Sequence, residues 1–462
     1  MSTFMEENRT TVILGGTMTK NELIVGEPRL GWFIDGNEDT DSISVMLRDT
    51  GTTIELSVPL QGMFGPNDPY DRWWSQGAVF DDDPDRSKHT YNPPNVLLMY
   101  DHAGDVALVG CRASGSNNNF RVGQGRLIAN YAVLGGGSLN YDKINGLRAE
   151  VPALAAWTRL SSMEVAVKRN ELNRVESVQM TLTNAPEVKL ARPLNLKMKS
   201  TWRTEQPRGS FLAYEGVKVE TRVAKPRGWG DHLHLHGAVL DLVSLAAWKP
   251  FGFSSVEVIR TDDPIVSADG TVLSEKWSSV ATHRLPRHEP WMKEPRFLFP
   301  WAEIGPRGIA RWLKLRADYY QAVSPVLNVL RSDRMWSHAS VVQSGVALEA
   351  LGYLIDTTKN AGVNLNSRKQ IKFKTALQVV LDDLTELPFT DAGDWINRAN
   401  AVYMGSKHPD RPEPDSLTML NTLQENLLII RYWIAQRLGV TAKSLRQGLR
   451  TDPLANEFDE IY

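Results

Sequence analysis

The stretch PDSLTMLNTLQENLLIIRYWIAQRLG, residues 414–439, fixes the character of the last third of the chain. Its apolar residues Leu420, Leu423, Leu427, Ile430, Ile434 and Leu438 recur every three or four positions, the spacing that lines one face of an α-helix. Pro414, Asp415 and Ser416 supply a start, and Gly439 a stop. Upstream lie further stripes of the same period. One is Phe373, Leu377, Val380 and Leu384; another is Val341, Gly345, Leu348, Gly352 and Ile355. A third runs through Trp312, Leu315, Tyr319, Ala322, Val326 and Leu330, with a kink expected at Pro325. A shorter helix is expected over residues 391–404. Five helices with short connections imply a bundle.

Before residues 300–308 the pattern is different. Ile43–Arg48 and Thr53–Val58 alternate in period two around Asp49-Thr50-Gly51-Thr52, which predicts a hairpin. A second hairpin is expected from Val96–Tyr100 and Asp105–Cys111. Residues 62–94, rich in proline and acidic side chains, read as an irregular insertion pinned by Trp73 and Trp74. Gly123, Gly125 and Gly135–Gly137 read as turns; no Lys-Ser/Thr follows either group, so neither is a phosphate loop. Further on, Val217–Val223 and Val256–Arg260 read as strands and Val239–Trp248 as a short helix. The expected architecture is α+β and multidomain: a β-rich, sandwich-like part over residues 10–165, a mixed region over 166–304, and an all-α bundle over 305–462.

Composition narrows the function classes. Net charge is −2 over 462 residues, so any nucleic-acid contact needs a local patch. The single cysteine, Cys111, excludes an intrachain disulfide and a cysteine-based metal site. It ends an apolar run and reads as a core thiol. The first ten residues carry Glu6 and Glu7 and no apolar stretch, unlike a signal peptide. No segment reaches the roughly 18 apolar residues of a membrane span. The expectation is a cytoplasmic protein without membrane contact.

Residues 397–411, NRANAVYMGSKHPDR, carry the most suggestive chemistry. A helix bearing Arg398 and Asn400 ends near Gly405, and Lys407-His408 follows, with Pro409 barring continuation. Histidine moves protons near neutral pH, and arginine or lysine stabilises charge on a phosphate. Arg398 and His408 are ten residues apart, about 15 Å along a helix, and converge only if the chain folds back after Gly405. The plainer reading pairs Arg398 with Asp394 one turn away. A second candidate is His232, His234 and His236, which alternate as one face of a strand. They are either zinc ligands or, as we prefer, the polar side of that strand.

The last third resembles the HEPN superfamily, in its ApeA-like branch of phage-defence proteins. The resemblance rests on Gly345–Leu351, on Tyr403 through Lys407-His408-Pro409-Asp410-Arg411 with Pro414-Asp415, and on Ile429–Trp433 running to Leu438-Gly439. The front part is similar to the ApeA N-terminal domain through Gly31-Trp32-Phe33, the Gly51 hairpin, Val106–Cys111 and Leu154–Trp157. The resemblance implies an endoribonuclease of the hydrolase class, causing abortive infection by cutting RNA, tRNA among the targets. It implies metal-independent attack of the 2′-hydroxyl, no cofactor, a phage-derived protein trigger, and a homodimer or higher homo-oligomer. The family histidine carries onto His408. The family arginine, expected with four to six residues between it and the histidine, does not: Ala401, Val402 and Tyr403 occupy that window. Lys407, Arg398 or Arg411 is left to supply the cation, with Asn400 orienting a neighbour and Arg411 binding substrate. Otherwise the bundle is a non-catalytic module that dimerises or docks a partner.

Overall fold

The computed structural model describes residues 20–61, 70–75, 91–119 and 122–458. The strands of the first part are β1 (Pro28–Ile34), β2 (Ser44–Asp49), β3 (Ile54–Gln61), β4 (Val96–Asp101), β5 (Gly104–Val109), β6 (Arg112–Asn118), β7 (Val122–Ala129), β8 (Tyr131–Leu134) and β9 (Lys143–Glu150). Then come α1 (Pro152–Thr158), β10 (Met163–Arg169), β11 (Val175–Leu182), β12 (Val188–Ala191), β13 (Leu196–Glu205), β14 (Leu212–Gly228) and α2 (Trp229–Ala247). Four short strands follow: β15 (Ser255–Ile259), β16 (Ile265–Val266), β17 (Val272–Ser274) and β18 (Trp277–Ala281). The helices after them are α3 (Trp301–Asp318), α4 (Tyr320–Leu330), α5 (His338–Lys359), α6 (Phe373–Asp382), α7 (Ala392–Lys407), α8 (Ser416–Leu438) and α9 (Ala442–Leu449). The fold is α+β, with a large antiparallel sheet and a C-terminal helical bundle.

The chain divides into two compact units. The first gathers Met1–Glu150, Glu220–Leu233 and Phe253–Pro286; the second gathers Val151–Val219, His234–Gly252 and Arg287–Tyr462. In the first unit the strand order is β9-β15-β18-β8-β5-β4-β1-β2-β3-β7-β6, antiparallel at every step. Both expected hairpins are present. Asp49 pairs with Ile54 across a turn where Gly51 takes φ 89°, and Asp101 pairs with Gly104 at φ 118°, conformations a side chain disfavours. Inward positions of alternate residues bury Phe33, Val45, Leu47, Leu56, Val58, Leu97, Met99 and Leu108. Trp73 joins this core, and Trp74 donates to the Arg126 carbonyl at 3.2 Å. Most of the proline-rich insertion lies outside the described residues. Gly123 and Gly125 are strand positions of β7, not turns: a Cβ on Gly125 would sit 2.4 Å from the Trp74 ring, so close packing, not positive φ, requires glycine there. Burial pushes the Cys111 thiol up to about 12, as befits a thiol packed against a core.

The histidine run is helical, which corrects the strand expected there. Asp231–His236 opens α2, whose apolar residues continue as Ala238, Val239, Leu240, Leu242 and Val243, all buried. A helix buried nearly all round has no polar stripe, so two leucines between histidines imitate strand alternation. At 100° per residue His234 points away from His232 and His236 and is exposed, whereas both others are buried. Among the described residues no group of three or more His, Cys, Asp or Glu side chains is placed to hold a metal ion.

In the second unit α2 carries Asp241, whose carboxylate is bound by Arg316 of α3 and Arg331 after α4. The stripe expected to kink at Pro325 breaks at Tyr319, between α3 and α4, and Pro325 lies inside α4. α8 keeps its expected caps: Asp415 accepts from the Thr418 N–H at 2.9 Å, and Gly439 takes φ 99°. Among the described residues no helix is long and apolar enough to cross a membrane.

Candidate functional site at the end of helix α7

Helix α7 buries Trp395, Ala399, Val402 and Tyr403, an i, i+4, i+7, i+8 set. Trp395 donates its indole N–H to Asn426 of α8 at 3.1 Å, and Asn426 donates to Ser344 of α5 at 3.1 Å. This buried chain of hydrogen bonds sets the rotation of α7 against its neighbours. Two glycines then allow close approach. A Cβ at Gly345 of α5 would lie 2.3 Å from the Tyr403 ring. A Cβ at Gly405 would lie 2.4 Å from the Pro412 carbonyl oxygen, so the chain does fold back over the last turn of α7.

At the exit, the Lys407 ammonium lies 5.1 Å from the Tyr403 ring centroid and donates to its hydroxyl at 3.3 Å. Tyr403 in turn donates to Glu349 of α5 at 3.4 Å. Burial raises the Tyr403 phenol; Lys407 opposes the rise and Glu349 adds to it. Glu349 also lines a cavity of about 500 Å³ with Gln321, Val346, Tyr353, Lys369 and Ile371. His408 follows Lys407 in the chain, is exposed, and closes the helix through its N–H to the Met404 carbonyl at 3.0 Å. The Arg411 N–H returns to the His408 carbonyl at 3.1 Å, and its exposed guanidinium lies 4.0 Å from Asp410.

Arg398 belongs to another network. It binds Asp391 at 2.8 Å and Glu425 of α8 at 2.6 Å, not Asp394. Burial holds the Glu425 carboxyl above its ordinary range, with Arg398 pulling the other way. Arg398 lies nine residues before Lys407, about 13 Å along the helix, and Asn400 seven residues before it, half-buried. Lys407, His408 and Arg411 thus share one helix end, and Arg398 and Asn400 stand apart from it. Sequence reading gave Glu349 and Tyr403 no chemical part. The available signal was an acidic residue in an apolar helix face, one turn beyond a glycine.

Residues 28–313, more than half of the chain, match the family described as ApeA N-terminal domain 1. The chain belongs to the ApeA N-terminal domain 1 family. ApeA membership puts it among anti-phage defence proteins. The ApeA match ends inside α3, so the α7 exit lies beyond it. No curated protein and no solved structure matches the chain.

Proposed function

We propose that this ApeA-family chain is a cytoplasmic effector that cleaves RNA, tRNA among its substrates, at the exit of α7, and so aborts phage infection. The reading rests on the HEPN resemblance and on one observation: Lys407 and His408 leave α7 side by side, the lysine held by Tyr403, which in turn donates to Glu349, and the histidine open to solvent. His408 takes the proton of a ribose 2′-hydroxyl, whose oxygen attacks the adjacent phosphorus. Lys407 offsets the charge that builds on the phosphate oxygens, and Arg411 holds a neighbouring phosphate. The bond from phosphorus to the 5′-oxygen breaks and that oxygen takes a proton from water, giving a 2′,3′-cyclic phosphate and a 5′-hydroxyl end, with no metal in the chemistry. Arg398 acts at a distance here, by fixing α7 to α8, and Asn400 supports the same helix. Two copies supply two such exits to one RNA, and a phage-derived protein releases the activity.

A second reading has one observation in its favour. The Arg398 guanidinium is committed to two carboxylates, which suits a non-catalytic, HEPN-type bundle that dimerises or docks a partner. Total RNA incubated in EDTA with wild type and with His408→Ala, in extract from phage-infected cells, separates the two. Cyclic-phosphate ends from wild type alone are expected. Equal ends from both proteins, or none from either, would sink the nuclease reading.

A further inference from the structure

Among the described residues the hairpin β10–β11 is a sheet of two strands, and neither has another neighbour in it. Its register pairs Met163 with Leu182, Val165 with Met180 and Val167 with Val178. Directly paired residues share a face, so all six apolar side chains lie on one side. Val165, Val167, Val178 and Met180 are 49, 47, 59 and 43% exposed. The other side holds Glu164 with Thr181, Ala166 with Gln179, and Lys168 with Ser177. An isolated two-stranded hairpin is marginal in water, and a bare apolar strand with open edges is a template for pairing.

Charge narrows the occupant. Residues 163–182 carry Lys168, Arg169 and Arg174 against Glu164, Glu171 and Glu176, a balance of zero that attracts neither RNA nor an acidic membrane. Strand β10 reads MEVAVKR, and it is complementary to its own reverse about Ala166. Antiparallel to a second β10, Ala166 meets Ala166, Val165 meets Val167, and Glu164 meets Lys168, twice over by symmetry. Few other sequences match both the apolar and the charged positions.

We propose that β10 is a self-association edge: two copies of this chain pair antiparallel about a two-fold axis through Ala166, giving a four-stranded sheet with β11 on each flank. The Glu164 and Lys168 pairs lie on its polar side, and both apolar faces fall together on the other. Lys168 leaves its exposed partner Glu176, 2.9 Å away, for Glu164 of the second copy.

Cysteine placement in the full chain tests the geometry. Ala166 lies on the axis, where the two Cα atoms stand about 4.5–5.5 Å apart, within reach of a disulfide. Gln179, its neighbour on β11, would be about three strand spacings, ~14 Å, from its counterpart. Under mild oxidation Ala166→Cys should give a covalent dimer and Gln179→Cys should not. Charge reversal supplies the second arm, read by sedimentation. Glu164→Lys and Lys168→Glu should each weaken self-association about tenfold, and an equal mixture of the two should restore it. Equal cross-linking at both positions, no cross-link at residue 166, or charge variants that associate like wild type would overturn the proposal and leave the face to a different protein.

Discussion

Midway along α7, Arg398 holds two carboxylates, Asp391 and Glu425, at 2.8 and 2.6 Å; at its end, Lys407 reaches one neutral hydroxyl at 3.3 Å and is followed by an exposed histidine. Both regions are cationic, and only the second has charge to spare. A guanidinium locked between carboxylates contributes fixity, whereas an ammonium on a phenol and a solvent-facing imidazole keep capacity for a phosphate. Position relative to counter-charges, more than residue type, separates the locked middle of the helix from its open end.

The comparison can be broken most sharply at His408. His408→Ala should lower RNA cleavage about 10²- to 10⁴-fold, the usual worth of a general acid–base group, and leave thermal unfolding where it was, because the side chain is exposed. Gly345→Ala comes next. Its methyl must displace the Tyr403 ring, so a loss of about 1–3 kcal/mol in denaturant unfolding is expected, together with weaker cleavage as Lys407 loses its seat. Arg398→Met should cost about 1–2 kcal/mol, allowing for partial exposure, with most of it recovered when Glu425→Met is added. A stable Arg398→Met protein that has lost cleavage would erase the distinction between the two regions.

The smallest effect is in pH. Burial raises the Glu425 carboxyl in the folded state, so the native protein binds that proton more tightly than the unfolded chain. Stability from this group is therefore present below the unfolded value, near 4.3, and declines as pH rises through the folded one. Glu425→Gln should flatten that decline in melting temperatures measured from pH 4 to 7; an unchanged slope would assign it to other groups.

Much of this was legible in the chain, for local reasons. α8 declared itself because period, start and stop all fall within one contiguous stretch, and the two hairpins because their turns carry Gly51 and Gly104. The α7 exit was legible for the same reason, since Gly405, Lys407, His408 and Pro409 are neighbours. The second half of α2 was legible as the helix expected at Val239–Trp248; its first half was not, because Leu233 and Leu235 between three histidines imitate strand alternation. Pro325 misled, since α4 accommodates it and the break falls at Tyr319. The carboxylates behind both networks were invisible: Glu425 is 27 residues from Arg398, and Glu349 is 54 from Tyr403. Only tertiary packing brings such residues together.

Arg431 of α8, 1% exposed, binds the buried Asp452 and donates to the carbonyls of Leu245 and Ala246 at the end of α2, 186 and 185 residues earlier. A chain leaving the ribosome presents those carbonyls long before their donor exists, and Asp452 is made last. A buried guanidinium with either partner missing is costly. The buried guanidinium is therefore fully partnered only once the chain has been made through Asp452, and a fragment that begins after α2 lacks two of its acceptors.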